Sequence, residues 1–215
     1  MRIVDVEQGS AEWLDLRAGK VTASRVADVM ARTKTGWGAS RKNYAAQLIT
    51  ERLTGKPADT FQNDAMRWGT ETEPEARSMY AFELDVDVVE VGVFMHPERD
   101  DCMASPDGLV GEDGLVEIKC PNTATHIDTL LAEQIPRKYA LQMQWQMICT
   151  NRDWCDFVSY DPRLPGEMSL YIHRMNYDSE LADALELEVF TFLEEIDQTV
   201  NELRSRYPST EKIAA

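Results

Sequence analysis

The sequence predicts an α/β fold, a central mixed β-sheet flanked by helices on both sides. Three observations carry this expectation. Apolar residues recur at helical spacing near both ends of the chain and around its middle. β-branched or alternating runs fill 86–120 and 154–175. Gly and Pro mark the joins, and no repeat or linker-like segment divides the 215 residues. A chain of this length can bury a proper core as one domain, expected over 1–215 with a frayed tail from about 208.

Taken in order, Ser10 caps a first helix that runs to Arg17, with Trp13, Leu14 and Leu16 packing and Gly19 beyond its end. Thr22 or Ser24 caps a second helix over Arg25–Ala31. Thr33–Ala39 reads as a loop, and Ser40 as the cap of a helix to about Leu53 that Gly55 stops. Asn63–Tyr80 has helical periodicity, and Pro74 within it predicts a kink or two helices meeting. Val86–Met95 predicts one strand and Asp101–Ser105 a second. Helices are expected at Thr125–Glu133 and Pro136–Thr150; in the latter, Gln142 and Gln146 share a face one turn apart. Trp154–Tyr160 and Glu167–Met175 read as a β-hairpin around Pro162–Gly166. Asp178–Tyr207 is a long amphipathic helix, its inner stripe Leu181, Leu185, Val189, Phe190, Leu193, Ile196 and Val200, its outer face acidic.

The stretch that carries chemistry is Ser105–Pro106–Asp107–Gly108, followed by Gly114–Leu115–Val116–Glu117–Ile118–Lys119–Cys120–Pro121. It reads as a turn with an acid, a short strand, a turn and a strand. In the last strand Leu115, Glu117 and Lys119 face one way and Val116, Ile118 and Cys120 the other. The Pro/Gly turn brings Asp107 beside the Glu–Lys pair. Two carboxylates are what Mg²⁺ takes from a protein, with waters and substrate phosphate completing its shell. A neighbouring lysine orients or helps deprotonate a water there. An exposed hairpin bearing an ordinary Glu–Lys pair has the same spelling. Arg17 ending one helix and Ser24 opening the next suit a terminal phosphate, although an exposed Arg and a simple cap look alike. Glu71, Glu73 and Glu75 are either a solvated acidic face or the source of a third carboxylate.

The net charge is −16, which argues against a uniformly basic nucleic-acid binder. Its distribution is uneven. Residues 1–70 hold 11 Lys/Arg against 8 Asp/Glu, and residues 71–215 hold 11 against 30. Half of the basic side chains therefore lie in the first third, enough for a local positive surface on an acidic body. Cys102, Cys120, Cys149 and Cys155 lack zinc-ligand spacing; four is the number an iron–sulfur cluster needs, but their scatter favours reduced, buried thiols. No membrane span and no signal-peptide core is found, so a cytoplasmic protein is expected.

These residues resemble a known family. Asp107 with Glu117-x-Lys119 is similar to the Pro-Asp…(Asp/Glu)-x-Lys nuclease core, which implies a restriction-endonuclease-like fold. Several further stretches match in order and spacing. They are Val6–Gly9, Trp13, Leu16-Arg17-x-Gly19, Thr22–Ser24, Trp68–Gly69, Glu73, Gln142-x-Gln144 and Tyr160–Arg163. Together they resemble the bacteriophage lambda exonuclease or YqaJ-type viral recombinase branch, across nearly the whole chain. The resemblance implies a Mg²⁺-dependent 5′-to-3′ exonuclease, with two ions and Mn²⁺ able to substitute. Its substrate is linear double-stranded DNA with a 5′-phosphate, and its products are mononucleotides and a 3′ overhang. It also implies a homotrimer ring, a single-strand annealing recombinase as partner, and a phage or prophage protein in a bacterial host. By position, Asp107, Glu117 and the Ile118 carbonyl ligate metal, Lys119 serves the attacking water, and Glu73 assists a second metal or the nucleophile. Gln142 holds water or phosphate, Arg17, Ser24 and Ser105 form the 5′-phosphate pocket, and Met66 stands where the family has an apolar wedge at the DNA fork. The resemblance does not account for the acidic C-terminal helix. An endonuclease on the same core, or a non-catalytic acidic interaction module, are the alternative readings.

Overall fold

A computed structural model of the chain describes residues 2–58 and 64–208. In order, the described elements are β1 (Arg2–Val4), α1 (Ala11–Arg17), β2 (Val21–Thr22), a 3-10 turn (Ala23–Arg25), α2 (Val26–Val29), β3 (Arg32–Thr33), β4 (Gly36–Trp37), α3 (Ala39–Thr54) and α4 (Asp64–Leu84). They continue with β5 (Val88–Val89), β6 (Val93–Met95), β7 (Cys102–Ala104), β8 (Gly108–Val110), β9 (Gly114–Lys119), α5 (Thr123–Ala132) and α6 (Arg137–Thr150). β10 (Trp154–Tyr160), α7 (Gly166–Ser169), β11 (Leu170–Asn176) and α8 (Ser179–Arg206) complete the series.

The principal sheet has the order β11-β10-β9-β8-β5. It is mixed, because β9 and β10 run parallel while the other pairs are antiparallel. Alternation along β9 sends its side chains to two different cores. Val116, Ile118 and Cys120 meet Ala76 and Tyr80 of α4 on one face. Leu115 meets Met143 and Met147 of α6 on the other. Helices thus cover both faces, as the sequence predicts. Strands β1-β6-β7-β2 form a second, smaller sheet. Helix α6 lies between the principal sheet and a third core built with α2, α3 and α8. This position buries every residue from Leu141 to Thr150. The four cysteines are buried, form no disulfide, and divide among three cores.

Several local expectations are corrected. Val86–Met95 is not one strand: β5 joins the principal sheet and β6 the smaller one. The break falls before Gly92, where the chain passes against β1. A Cβ at Gly92 would overlap the Val4 carbonyl oxygen and stand 2.8 Å from Val6 N. The Thr33–Ala39 loop contains the strand β4, which pairs with β3. Gly38, not Ser40, is the N-cap of α3, without a side-chain cap. Helix α4 runs through Pro74 as one element, because Ala76 and Tyr80 beyond it are fully buried against the sheet. Packing of that face outweighs the missing backbone bond. The expected helix start at Asn63 and the expected tail beyond Pro208 lie outside the described residues. Among the described residues, no helix is long and apolar enough to cross a membrane.

The close approach at Gly92 generates a stability test. Gly92→Ala must push two backbone segments apart, and overpacking of this kind costs about 1–3 kcal/mol. Urea unfolding is expected to show a midpoint lowered accordingly at unchanged slope; an unaltered midpoint refutes the close packing described.

Candidate active site

Pairing of β8 with β9 ends at Gly108 opposite Val116. Beyond that point Ile118 N–H has no partner on β8, and Asp107 supplies one: its Oδ2 accepts from Ile118 N at 2.7 Å. The turn residue therefore extends the ladder with its side chain. This sets its carboxylate level with Glu117 and Lys119.

Glu117 is fully buried. A buried carboxylate must find donors, and α6 provides them. Gln142 Nε2 donates to Glu117 Oε1 at 2.6 Å, and Gln146 Nε2 donates to Oε2 at 2.6 Å. Lys119 Nζ pairs with Oε1 of the same carboxylate. The reading of an exposed Glu–Lys hairpin is thereby excluded. Gln146 is the residue that sequence reasoning passed over for the site; its one-turn spacing from Gln142 was the available signal. Gln142, to which the resemblance gives a water or phosphate, here donates to Glu117.

The electrostatics are those of a carboxylate cluster short of positive charge. Burial pushes Asp107 well above the usual carboxylate range, and the charges of Glu117 and Glu73 add to it, against Lys119 and the Ile118 amide. Burial also raises Glu73, opposed by Arg77, which pairs with it at 2.6 Å, and by Lys119. Burial works against the Lys119 ammonium, but Glu117 and Asp107 outweigh it and hold Lys119 protonated above its ordinary value. Among the described residues, no three Asp, Glu, His or Cys side chains form a metal cage by themselves. Mg²⁺ does not need one, since it binds through one or two carboxylates and keeps waters and phosphate oxygens. Asp107 and Glu117 fit that requirement, and a divalent cation would relieve the mutual repulsion that raises Asp107.

A cavity of about 270 Å³ is joined to this cluster through Trp13. Arg17, Lys20 and Arg25 line it, as do Thr22, Tyr44 and Met66. Arg17 Nη2 donates to Thr22 Oγ1 at 3.3 Å, and Thr22 Oγ1 lies 3.3 Å from Ser24 Oγ. The Arg17 guanidinium stacks 3.9 Å from the centroid of Trp13, whose Nε1 donates to Ser105 Oγ at 3.1 Å. The three residues grouped as a phosphate pocket, Arg17, Ser24 and Ser105, are thus joined through Thr22 and Trp13, which sequence reasoning read only as a helix cap and a packing residue. Burial lowers Arg17 to about 10, with Arg25 pushing the same way against Tyr44 and Glu51. The carboxylate in the wall, Glu51, is taken up by Gly19 N, Ala58 N and Gln47. The cavity is therefore suited to an anion. Met66 is half-exposed at its lining.

A model of the YqaJ-like viral recombinase domain matches residues 12–153, a span that holds Arg17, Glu73, Asp107, Glu117, Lys119 and Gln146. LHK-Exo, an alkaline exonuclease from Laribacter hongkongensis, has 50% sequence identity and a TM-score of 0.86, covering 92% of this chain and 97% of that one. It has also been solved in complex with dAMP. A phage related exonuclease from Haemophilus somnus 129PT shares the fold, with a TM-score of 0.71, 17% identity and coverage of 86% and 96%. The uncharacterized protein R354 of Acanthamoeba polyphaga mimivirus is 26% identical over 173 residues, 73% of this chain. The chain spans only 30% of that relative's length.

The raised Asp107 carboxyl has a thermodynamic consequence. Above the ordinary carboxylate range the unfolded chain has released this proton while the folded chain retains it. Stability therefore falls as pH rises from that range through the folded value. Asp107→Asn keeps an acceptor for Ile118 N–H and removes the charge. Metal-free Asp107→Asn is expected to melt about 2–4 °C above the parent at pH 8, the shift worth roughly 1 kcal/mol in a chain of this size. The gain should vanish near pH 4. Calorimetry at the two pH values checks it, and a lower melting temperature at pH 8 contradicts it.

Proposed function

The chain belongs to the YqaJ-like viral recombinase family, and we propose that its nuclease role is a Mg²⁺-dependent 5′-to-3′ exonuclease on linear duplex DNA. The observation that carries this reading is the bond from Trp13 to Ser105. It joins an anion-suited cavity to the turn that presents Asp107. A strand whose terminal phosphate sits in that cavity has its first linkages beside the carboxylates. A cavity that takes a terminal phosphate favours cutting from the end over cutting within the strand.

Asp107, Glu117 and the Ile118 carbonyl would hold Mg²⁺, with Glu73 serving a second ion and Mn²⁺ as a substitute; when bound, the metal stabilises charge developing on the phosphate. The chain's own groups do the positioning. Gln142 and Gln146 fix the plane of the Glu117 carboxylate from two sides. Lys119 Nζ keeps its proton and so orients the attacking water as a donor. Arg17, Ser24 and Ser105 hold the 5′-phosphate and set the register at which the strand is cut. Interactions of this kind position DNA without reading its bases. Met66, at the rim of the same cavity, separates the terminal base pair. The released products are 5′-mononucleotides, and the 3′ overhang passes to a single-strand annealing recombinase. A homotrimeric ring keeps the enzyme on DNA.

Linear duplex with 5′-phosphate ends is expected to be shortened rapidly in Mg²⁺, 5′-hydroxyl ends slowly, and closed circles not at all; EDTA should stop the reaction. Cutting of circles, or activity in EDTA, refutes the proposal. Asp107→Ala and Lys119→Ala should each lower turnover by about 10²–10⁴-fold. Arg17→Ala should reduce the preference for phosphorylated ends by roughly tenfold, the worth of one charged hydrogen bond. Gln146→Leu should raise the Mg²⁺ dissociation constant, read by calorimetric titration, about 10–100-fold; an unchanged constant removes Gln146 from this role.

A further inference from the structure

A second cavity, of about 460 Å³, lies between the end of α2 and the start of α6. Met30 and Leu141 contribute apolar surface to it, and Arg32, Arg137 and Lys138 contribute charge. Its lining holds three cations and no carboxylate. This is unusual for its setting, because two of the three lie in the part of the chain that carries 30 acidic residues against 11 basic ones. Arg32 is tied to Glu188 at 2.9 Å. Arg137 and Lys138 are exposed, and among the described residues neither makes an ion pair. The first turn of α6 also lacks a side-chain cap, so its backbone N–H groups add to the positive field.

The cavity is connected to the carboxylate cluster by one ring. Lys138 Nζ lies 4.4 Å from the centroid of Tyr139, and Lys119 Nζ lies 5.4 Å from the same centroid. Lys138 also stands one helical turn before Gln142, which donates to Glu117. The anion-suited pocket of Arg17 reaches the cluster from another residue, Ser105. The cluster therefore has cationic approaches at two separate points.

We propose that this groove holds backbone phosphates of the strand being cut, on the 3′ side of the scissile bond. The inference rests on the exonuclease reading, in which the first pocket takes the 5′ end. With the end fixed there and the cut at the carboxylates, the strand continues past Lys119 and Tyr139 to Lys138, Arg137 and Arg32. Exposed cations without an acidic partner, as Arg137 and Lys138 are, need little desolvation on meeting phosphate, and they add affinity without sequence preference. The complementary strand is the less suitable occupant, since the groove is built on the helix that anchors the catalytic carboxylate.

The test is a binding titration by fluorescence anisotropy in the Asp107→Asn background, with 5′-phosphorylated duplex at several salt concentrations. Arg137→Gln with Lys138→Gln keeps good helix formers at both positions; circular dichroism and melting temperature confirm the fold. The slope of log K against log salt is expected to fall by about 2, roughly 0.9 for each phosphate no longer neutralised. Neutral methylphosphonate linkages placed in the cut strand, from the third to the sixth linkage, should weaken binding to the parent about tenfold and to the double variant hardly at all. The same linkages in the complementary strand should act equally on both proteins. An unchanged slope, or sensitivity confined to the complementary strand, overturns the inference. Digestion of phosphorylated linear DNA is measured separately with the enzyme that retains Asp107: if that fails, the exonuclease reading falls, whereas an active enzyme with an unchanged slope in the titration removes the groove alone.

Discussion

The interaction on which the rest of the structure depends is the burial of Glu117. An ionised carboxylate without solvent is stable only if its oxygens are met by donors of fixed geometry. Here both donors that reach it from outside its strand come from one helix, Gln142 and Gln146. That requirement explains why α6 is enclosed all round from Leu141 onward. Met143 and Met147 seat it on the principal sheet, and Leu141, Trp145, Ile148 and Cys149 seat it on the core shared with α8. Gln144 accepts from Asp178 N, which ties the start of α8 to the same helix. The helix that supports the carboxylate is thereby held from every side.

Charge is also organised on a larger scale, between α8 and the first third of the chain. The acidic C-terminal helix, which the family resemblance leaves unexplained, has an internal use. Glu188 and Glu195 pair with the buried Arg41, Glu188 also pairs with Arg32, Asp197 pairs with Arg52, and Glu186 bonds His96. Arg41 in turn lies between the rings of Trp37 and Phe192 and donates to the Val29 carbonyl. Part of the negative charge is therefore counter-charge to the basic first third of the chain, and it fastens the β3–β4 hairpin and α3 to α8. The net value of −16 describes neither surface.

Much of this was legible in the sequence because it rests on local periods. The two-residue alternation of Leu115 to Cys120 assigns both faces of β9, and most of the α8 stripe packs inward as its spacing predicts, although Ala182 and Phe192 are fully buried while Leu181 and Phe190 are only partly so. Asp107, Glu117 and Lys119 come together because the Pro/Gly turn leads into β8, which folds back antiparallel on β9. What was not legible depends on distant partners. The β-branched run from Val86 to Met95 gives no sign that its halves belong to different sheets; only the approach of β1 to Gly92 decides it. Ser40 is a better cap than Gly38 by composition, yet α3 begins earlier. Trp13 reads as a packing residue in α1, because its bond to Ser105 spans 92 positions. Gln146 acquires meaning only once α6 is laid against β9.

The enclosure of the cysteines bears on how motion in this protein can be followed. Cys102, Cys120, Cys149 and Cys155 are buried, and burial raises all four thiols above their ordinary value. In the folded chain they offer almost no thiolate to an alkylating dye. A single cysteine introduced on an exposed segment is then the reactive one, and the native set needs no replacement. The fold thus comes with a silent background for site-specific labelling, and motion of a labelled segment becomes a distance that fluorescence can track.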